Sequence, residues 1–199
     1  MENIERAQIS EIFLSKVIIG LTGRNASGKG TVAEILKQKG FIYHSLSDSL
    51  RDELKDLGED ETRENLINVG NRLRMEGGPS VLADKMIPKL LPEEYHIVDS
   101  IRNPFEVESL RKSTTSHKFY LLSVDADSRL RYERLRSRGR VGDSASWEEF
   151  VEQERKEENN SDPNKQQLSK TISKADYVID NSETINELES KIKKLLINL

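Results

Sequence analysis

Short hydrophobic runs alternate with longer amphipathic segments along most of the chain. Runs of strand length, rich in β-branched residues, occur at 17–21, 41–43, 97–98, 119–124 and 176–180. Helices are predicted at 31–39, 47–57, 106–112, 127–137, 147–158 and 185–196, and residues 58–95 are predicted to be mostly helical. Apolar strands that alternate with helices are typical of a parallel sheet covered on both faces. We therefore predict an α/β fold of three layers around five parallel strands.

The length of 199 residues fits one domain. We assign residues 17–199 to that domain and residues 1–16 to an N-terminal arm. No apolar run approaches the roughly 20 residues that span a bilayer, and the mixed, acidic start differs from a secretory signal. We therefore expect a cytoplasmic protein that makes no membrane contact.

The composition excludes several classes of site. There is no cysteine, so disulfides, thiolate metal sites and a cysteine nucleophile are excluded. The three histidines, His44, His96 and His117, are far apart, and no pair has the spacing of metal ligands.

The net charge of −4 makes a general attraction to nucleic acid unexpected. Six arginines nevertheless lie within residues 129–140. A local cluster of this kind predicts an anion site that the total charge conceals.

The strongest motif is Gly-Arg-Asn-Ala-Ser-Gly-Lys-Gly-Thr at residues 23–31, which we call the phosphate loop. It follows a predicted buried strand and opens a predicted helix, whereas an ordinary glycine turn, the alternative, needs no such context. Glycines let backbone N–H groups converge on phosphate oxygens, and the helix start adds a positive dipole. We expect ATP to contact Gly23, Asn25, Ala26, Ser27, Gly28, Lys29, Gly30 and Thr31.

Two residues are candidate magnesium ligands. Gly30 stands where most phosphate loops have Ser or Thr, so the hydroxyl nearest to that position belongs to Thr31. Asp99 ends a predicted buried strand, where ligands collect in open α/β sheets.

The Gly-Lys-Gly-Thr sequence at 28–31 resembles the phosphate loop of adenylate kinase and related nucleoside monophosphate kinases, and segment 18–33 also resembles dephospho-CoA kinase. After residue 16 nearly the whole chain, including 146–150 and 175–181, is similar to archaeal and bacterial kinase-like ATPases. It is similar as well to kinase-like domains fused to deoxycytidylate deaminases. The resemblance implies a P-loop kinase fold that uses ATP and Mg²⁺, with an acceptor-binding helical insert at about 47–92 and a short lid at about 136–146.

The same resemblance implies residues that hold the acceptor. Asp48-x-x-Arg51 and Asp99-x-x-Arg102 are similar to kinase segments whose arginines grip the acceptor's phosphate, although the second lacks the family's glycine and proline. An exposed Arg51 that pairs with Asp48 is the alternative. The expected acceptor contacts are Asp48, Arg51, Asn71, Arg74 and Arg102, and a structural role for Asn71 is equally open.

The arginine cluster resembles the base of a kinase lid. Arg134, Arg138 and Arg140 would close on the transferring phosphoryl group and neutralise its charge. A solvated helix face and a nucleic-acid patch are the alternatives, and the latter lacks aromatic residues for base stacking. Asn181, after the last strand, would contact adenine, unless that loop only provides Ser182 as a helix cap.

These features predict ATP-dependent phosphoryl transfer to a (deoxy)nucleoside monophosphate. The phosphate of such an acceptor is already nucleophilic, so positioning and charge neutralisation suffice. The predicted catalytic residues are Lys29, Asp48, Arg102, Arg134, Arg138 and Arg140. Two alternatives stay open: dephospho-CoA kinase-like transfer to a ribose hydroxyl with Asp48 as base, and a regulatory ATPase acting with an RNA or protein partner. The oligomeric state is not predicted.

Overall fold

The computed structural model describes residues 16–91, 94–113, 117–139, 146–158 and 161–199. Almost all of the N-terminal arm, Arg140 and most of the lid beyond it lie outside these residues. The strands are β1 (Val17–Thr22), β2 (Ile42–Ser45), β3 (His96–Asp99), β4 (Lys118–Asp125) and β5 (Tyr177–Asp180). The helices are α1 (Lys29–Gln38), α2 (Asp48–Leu57), α3 (Arg63–Gly77), α4 (Val81–Met86), α5 (Pro104–Ser113), α6 (Ser128–Arg138), α7 (Trp147–Glu158), α8 (Leu168–Ile172) and α9 (Ile185–Asn198), with a 3₁₀ helix at Ile87–Lys89.

The five strands form one parallel sheet in the order β2-β3-β1-β4-β5. Strand β1 is central and all six of its residues are buried, because it is paired on both sides and covered on both faces. Gly20 pairs with Val98 of β3 and with Leu121 of β4. The carboxyl end of β1 therefore lies between the carboxyl ends of β3 and β4, where ligands bind in this class of sheet.

Each face of the sheet has its own hydrophobic core. Val17, Ile19 and Leu21 of β1 point to a core with α1 and α9. Ile18 points to the opposite core, which includes apolar residues of α2, α3, α4 and α5. This alternation follows from the two-residue period of a strand, and it places the helices of the predicted acceptor insert on one face of the sheet.

The predicted fold class is confirmed. All five predicted strands are present, and their ends differ from the prediction by at most two residues, β2 beginning one residue later than predicted and ending two later. Helix α8 was not predicted. Its five residues, Leu-Ser-Lys-Thr-Ile, are too few to show a helical period. Among the described helices, none is long and apolar enough to cross a membrane.

Candidate nucleotide and acceptor site

The phosphate loop begins where β1 ends, and its shape requires glycine at two positions. Gly23 has φ +133°, and a Cβ there would lie 2.1 Å from the carbonyl oxygen of Val124. Gly28 has φ +96°, and its Cβ would lie 2.0 Å from Nδ2 of Asn181. The backbone is thus closely packed against the ends of β4 and β5. The amides of Thr31 and Val32 donate to the Gly28 carbonyl, which starts α1.

The side chains of the phosphate loop leave donors unused. Ser27 is fully buried, and its Oγ finds no hydrogen-bond partner among the described residues; the same holds for Nδ2 of Asn25. The Lys29 ammonium donates to the carbonyls of Gly23 and Arg24, at 2.7 and 2.8 Å. Since buried polar groups are normally satisfied, the unused donors fit a ligand with many acceptor oxygens, such as a polyphosphate.

Arg134 and Asn181 form the next part of the site. Nδ2 of Asn181 donates to the Ser27 carbonyl at 2.9 Å, and Nη2 of Arg134 donates to the Asn181 carbonyl at 2.8 Å. Nη1 of Arg134 is buried and has no hydrogen-bond partner in the described part of the chain. Arg138 reaches the loop as well, and its Nη2 donates to Oδ1 of Asn25 at 3.1 Å. The structure therefore brings both described lid arginines to the phosphate loop.

The amide of Asn181 faces the loop backbone. The residue is buried, and its own N–H donates to the Asp125 carbonyl at 2.7 Å. Ser182, the helix cap that the sequence offered as the alternative, does not cap α9. Thr184, two residues later, caps that helix and forms a capping box with Glu187.

The described arginines at 129–138 do not act as one cluster. Arg131 is buried, donates to the Ala126 carbonyl, and pairs with Glu154 of α7. The Arg129 guanidinium lies 4.2 Å from the ring centroid of Trp147. These two arginines join α6 to α7, although Arg131 also donates to the Asn25 carbonyl of the phosphate loop. Arg134 and Arg138 donate instead to Asn181 and Asn25, respectively.

Asp99 ends β3 beside the central strand and is almost fully buried. Its Oδ1 accepts from the Ser100 amide at 2.6 Å, and its Oδ2 accepts from the Tyr43 hydroxyl at 3.0 Å. Burial and the charge of Asp99 raise the pKa of Tyr43, so that hydroxyl stays protonated and donates.

The described residues contain no group of three or more His, Asp or Glu side chains that could hold a metal ion. A magnesium ion would therefore rely on few protein ligands, and Asp99 and Thr31 are the candidates. That donor set suits Mg²⁺, which often takes one or two protein ligands together with substrate phosphates and water.

A pocket lies on the other side of Asp99, between α2, α3 and the loop after β3. We call it the arginine pocket because three arginines line it, and none of its described lining residues is acidic. The polar lining residues are Ser47, Arg63, Arg74, Ser100, Arg102 and Gln166, and the apolar ones are Leu46, Leu50, Leu66, Ile67 and Leu82.

Arg74 and Glu106 form a buried ion pair at this pocket. Their side chains are 2% and 0% exposed. Nε and Nη2 of Arg74 donate to Oε1 of Glu106, at 3.0 and 2.6 Å. Oε2 of Glu106 accepts from the amides of Arg102 and Asn103, at 2.9 and 3.0 Å. One carboxylate thus fixes a guanidinium and the backbone of the loop that carries Arg102.

Arg51 and Asp48 lie apart from the described lining of the arginine pocket. The Arg51 guanidinium donates to Asp48 at 2.9 Å and to Glu61 at 2.7 Å, and its side chain is 42% exposed. This is the surface pairing that the sequence left as an alternative. Asn71 is also outside that lining; its Oδ1 is buried without a hydrogen-bond partner among the described residues.

Sequence reasoning missed Arg63 and Gln166 of the pocket lining, and it missed the buried Glu106 that pairs with Arg74. Glu106 had a local signal, since Asn103-Pro104-x-Glu106 has the pattern of a helix start with an acid at its third position. Gln166 had none, because it reaches Arg102 across 64 residues of chain.

The three histidines lie together, which their spacing did not indicate. Nε2 of His44 and Nδ1 of His96 are 3.1 Å apart, and the rings of His96 and His117 are 5.7 Å apart. Burial lowers the pKa of His44 and of His96. His96 begins β3 and Asp99 ends it, so His96 lies toward the other end of the sheet from the phosphate loop.

Comparison with known proteins places the chain in a family. A family described as "AAA domain" matches residues 19–161. The UPF0200 proteins of Pyrococcus horikoshii and Pyrococcus abyssi are 33% and 34% identical to it over 184 residues, which cover 90% of this chain and 96% and 95% of theirs. The chain belongs to the UPF0200 family of AAA-domain proteins.

Solved structures whose fold is similar to that of this UPF0200 chain include two named kinases and one protein without a functional name. A gluconokinase from Sinorhizobium meliloti has a TM-score of 0.57 at 14% identity and covers 94% of this chain and 93% of its own. A shikimate kinase from Bacteroides thetaiotaomicron has a TM-score of 0.55 at 14% identity, over 90% and 98%. TT1252 from Thermus thermophilus has a TM-score of 0.58 at 21% identity, over 93% and 98%. These similarities show the P-loop kinase fold.

Proposed function

We propose that this UPF0200 protein transfers a phosphoryl group from ATP to a small acceptor that carries a phosphate. The observation that supports this proposal is the pairing of two anion-binding features at one edge of the sheet. The phosphate loop follows β1, and the arginine pocket lies beside the end of β3. Asp99 ends β3 and directly precedes Ser100 of the pocket lining, and we assign to it the role of organising donor and acceptor.

On the donor side, the loop amides and Lys29 hold the phosphates of ATP. Lys29 must then leave the carbonyls of Gly23 and Arg24, which its flexible stem allows. Asp99 and Thr31 would hold Mg²⁺, which when bound neutralises charge on the phosphates. Arg134, with its unused Nη1, and Arg138 are placed to stabilise the transferring group, and we assign the same role to Arg140.

On the acceptor side, the leading candidate is a ribo- or deoxynucleoside monophosphate. The guanidinium groups of the arginine pocket suit its phosphate, and the aliphatic wall suits a base. Its attacking oxygen needs no strong base at neutral pH. The protein then needs only to position the acceptor, through Arg102 and Arg74, and to neutralise the charge of the transferring group.

Transfer to a hydroxyl, as in dephospho-CoA kinase, is the second candidate. The gluconokinase and shikimate kinase of similar fold are named after acceptors that are not nucleotides, so the fold by itself does not select the acceptor. A hydroxyl acceptor needs a base, and Asp48 at the start of α2 is the residue we assign to it. Both oxygens of Asp48 already accept hydrogen bonds, from Arg51 and from the Ser45 amide, which favours the monophosphate.

A coupled ADP-release assay tests the proposal directly. The panel contains the common ribo- and deoxynucleoside monophosphates and dephospho-CoA, each with MgATP. We expect at least one monophosphate to stimulate ADP release, and Lys29→Ala to abolish it. Lys37→Ala, which removes a surface lysine paired with Glu34, is the control and should change nothing. A rate that no panel member raises, but that RNA or a protein partner does, would favour the regulatory ATPase.

Asp48→Ala separates the two kinds of acceptor. With a monophosphate acceptor we expect the variant to retain most of its activity. Near-total loss of transfer with unchanged ATP binding would instead favour a hydroxyl acceptor, because the base would have been removed.

A further inference from the structure

The buried pair of Arg74 and Glu106 leaves one strong donor unused. Glu106 takes Nε and Nη2 of the guanidinium. Nη1 is buried and has no hydrogen-bond partner among the residues that the structure describes. A buried, charged group with an N–H that has no acceptor costs free energy of folding. The arrangement is therefore suited to a ligand that supplies the missing acceptor. Arg74 lines the arginine pocket, where a ligand can enter.

The remaining contacts hold Arg74 in one position. Oε1 of Glu106 binds two of its three nitrogens, while Oε2 binds the amides of Arg102 and Asn103. The third nitrogen, Nη1, lies against Gly70 on the same helix, where an added Cβ would be only 3.2 Å away. The guanidinium therefore has little freedom to rotate, and the absence of a side chain at Gly70 makes room for Nη1.

We propose that Glu106 is a positioning residue, which holds Arg74 so that Nη1 donates to the acceptor's phosphate. The inference rests on the proposed function, since it requires a phosphate in the arginine pocket. Glu106 balances the charge of Arg74 while the pocket has no acceptor, and the acceptor's oxygens then satisfy the remaining donor. Because Glu106 also binds the Arg102 amide, it keeps two arginines of the pocket in register.

Arg74 is better placed for this role than Arg51, which the sequence singled out. Both acceptors of the Arg51 guanidinium are surface carboxylates, and its side chain is 42% exposed. An arginine that is already paired with two acids gains little from a further anion in water. The buried Arg74 has an unmade hydrogen bond, and a phosphate oxygen would complete it.

The test removes the pair without leaving a buried charge. The double variant Arg74→Met/Glu106→Gln replaces both ions with neutral side chains of similar size, which avoids the uncompensated buried charge that either single substitution leaves. We expect the KM of the best nucleoside monophosphate to rise by about tenfold or more, the loss of a charge-assisted hydrogen bond, while the KM of ATP changes by less than about twofold. An unchanged monophosphate KM would overturn the proposal.

A surface pair on the same helix provides the matched control. Nη2 of Arg72 donates to Glu53 at 2.7 Å, and both side chains are substantially exposed. Arg72→Met/Glu53→Gln removes the same two charges from the protein. Its monophosphate KM should stay at the wild-type value, and an equal rise in both double variants would mean that net charge, not positioning, is responsible.

Gly70→Ala tests the geometry alone, since it alters neither charge. Alanine favours a helix interior over glycine by about 1 kcal/mol, so stability should hold or rise. The added Cβ would press on Nη1, and we expect the monophosphate KM to rise while the ATP KM stays. A variant that is as stable as the wild type and has an unchanged monophosphate KM would count against a precise placement of Nη1.

A binding measurement separates this inference from the proposed function. A non-hydrolysable ATP analogue saturates the phosphate loop, and inorganic phosphate is then titrated while the Tm is followed. Phosphate should raise the Tm of the wild type and of the Arg72/Glu53 variant, and not that of the Arg74/Glu106 variant. Equal stabilisation of all three overturns the inference even if the protein is a kinase. A selective loss supports the phosphate site even if no panel member proves to be an acceptor.

Discussion

In the part of the chain that the structure describes, two regions bury an arginine, and they differ in how completely its donors are used. At the junction of α6 and α7, Arg131 is 3% exposed, and each of its three nitrogens has an acceptor, from Ala126, Asn25 and Glu154. At the arginine pocket, Arg74 is 2% exposed, and Nη1 has no acceptor in the described part of the chain. Similar burial thus accompanies a complete network in one region and an incomplete network in the other.

The difference separates structural arginines from binding arginines. A buried guanidinium whose three nitrogens all have acceptors within the protein offers little to a ligand, and its role is to join elements. Arg134 resembles Arg74 in this respect. Its Nη1 is also buried without a hydrogen-bond partner among the described residues, and the residue lies beside the phosphate loop. Among the described residues, the two arginines with an incomplete network are therefore the ones beside the two proposed anion sites.

The largest effect is expected for Arg74→Ala. It leaves Glu106 fully buried without its cation, and breaking a buried pair in this way costs about 3–5 kcal/mol of unfolding free energy. Urea unfolding measures the loss. Adding Glu106→Gln should recover part of it, because the unpaired charge is then gone. A double variant as unstable as the sum of the two single variants would contradict this coupling.

Arg131→Ala should destabilise less and leave acceptor binding intact. Its partner Glu154 keeps 16% of its side chain exposed, so water can hydrate the carboxylate left behind, and we expect a loss of about 1–3 kcal/mol. The monophosphate KM should remain at the wild-type value. A large rise in that KM would erase the distinction between the two regions.

Arg51→Ala should have a small effect on both measures. An exposed ion pair contributes about 1 kcal/mol or less, so urea unfolding should change little. The monophosphate KM should rise by no more than about fivefold, the equivalent of 1 kcal/mol. A rise that exceeds the one in the Arg74→Met/Glu106→Gln variant would show that Arg51 turns into the pocket when the acceptor binds.

The smallest effect is expected at the half-buried His44, where a substitution should change the pH dependence of stability. Burial lowers the pKa of His44 below its usual 6.5, so the unfolded state takes up a proton that the folded state resists. This contribution to stability is fully present above about pH 6.5 and is lost as the pH falls toward the lowered pKa. His44→Asn should therefore flatten the dependence of the urea midpoint on pH between about 7 and 5. Superimposable curves for variant and wild type would contradict the lowered pKa of His44.

Local pattern was sufficient to predict much of the fold. The strands of the sheet are short apolar runs bounded by polar residues, and the helix α7 begins and ends at the predicted residues. The phosphate loop was predictable too, since its glycines, lysine and flanking elements are contiguous. The short helix α8 was not predicted, because five residues are too few to show a helical period of hydrophobic positions.

The roles of individual arginines were much less predictable. Arg131, Arg134 and Arg138 share one stripe of α6, yet their partners differ. Arg131 pairs with Glu154 of α7 and also donates to the Asn25 carbonyl, Arg134 donates to the Asn181 carbonyl, and Arg138 donates to the Asn25 side chain. Which partner each one meets depends on α7 and on the loop after β5, which are distant in sequence. Arg51 matched a kinase-like motif and lies on the surface, while Glu106 belonged to no motif that carries chemistry.

The sequence alone determined the succession of the strands and longer helices along the chain and the position of the phosphate loop. Both depend on interactions between near neighbours in the chain. The tertiary structure decided which charges are paired. Arg74 meets Glu106 across 32 residues, and Asn181 meets Ser27 across 154. An ionic side chain becomes structural or ligand-binding according to its burial and its remaining donors, and those are properties of the packed chain rather than of any segment of it.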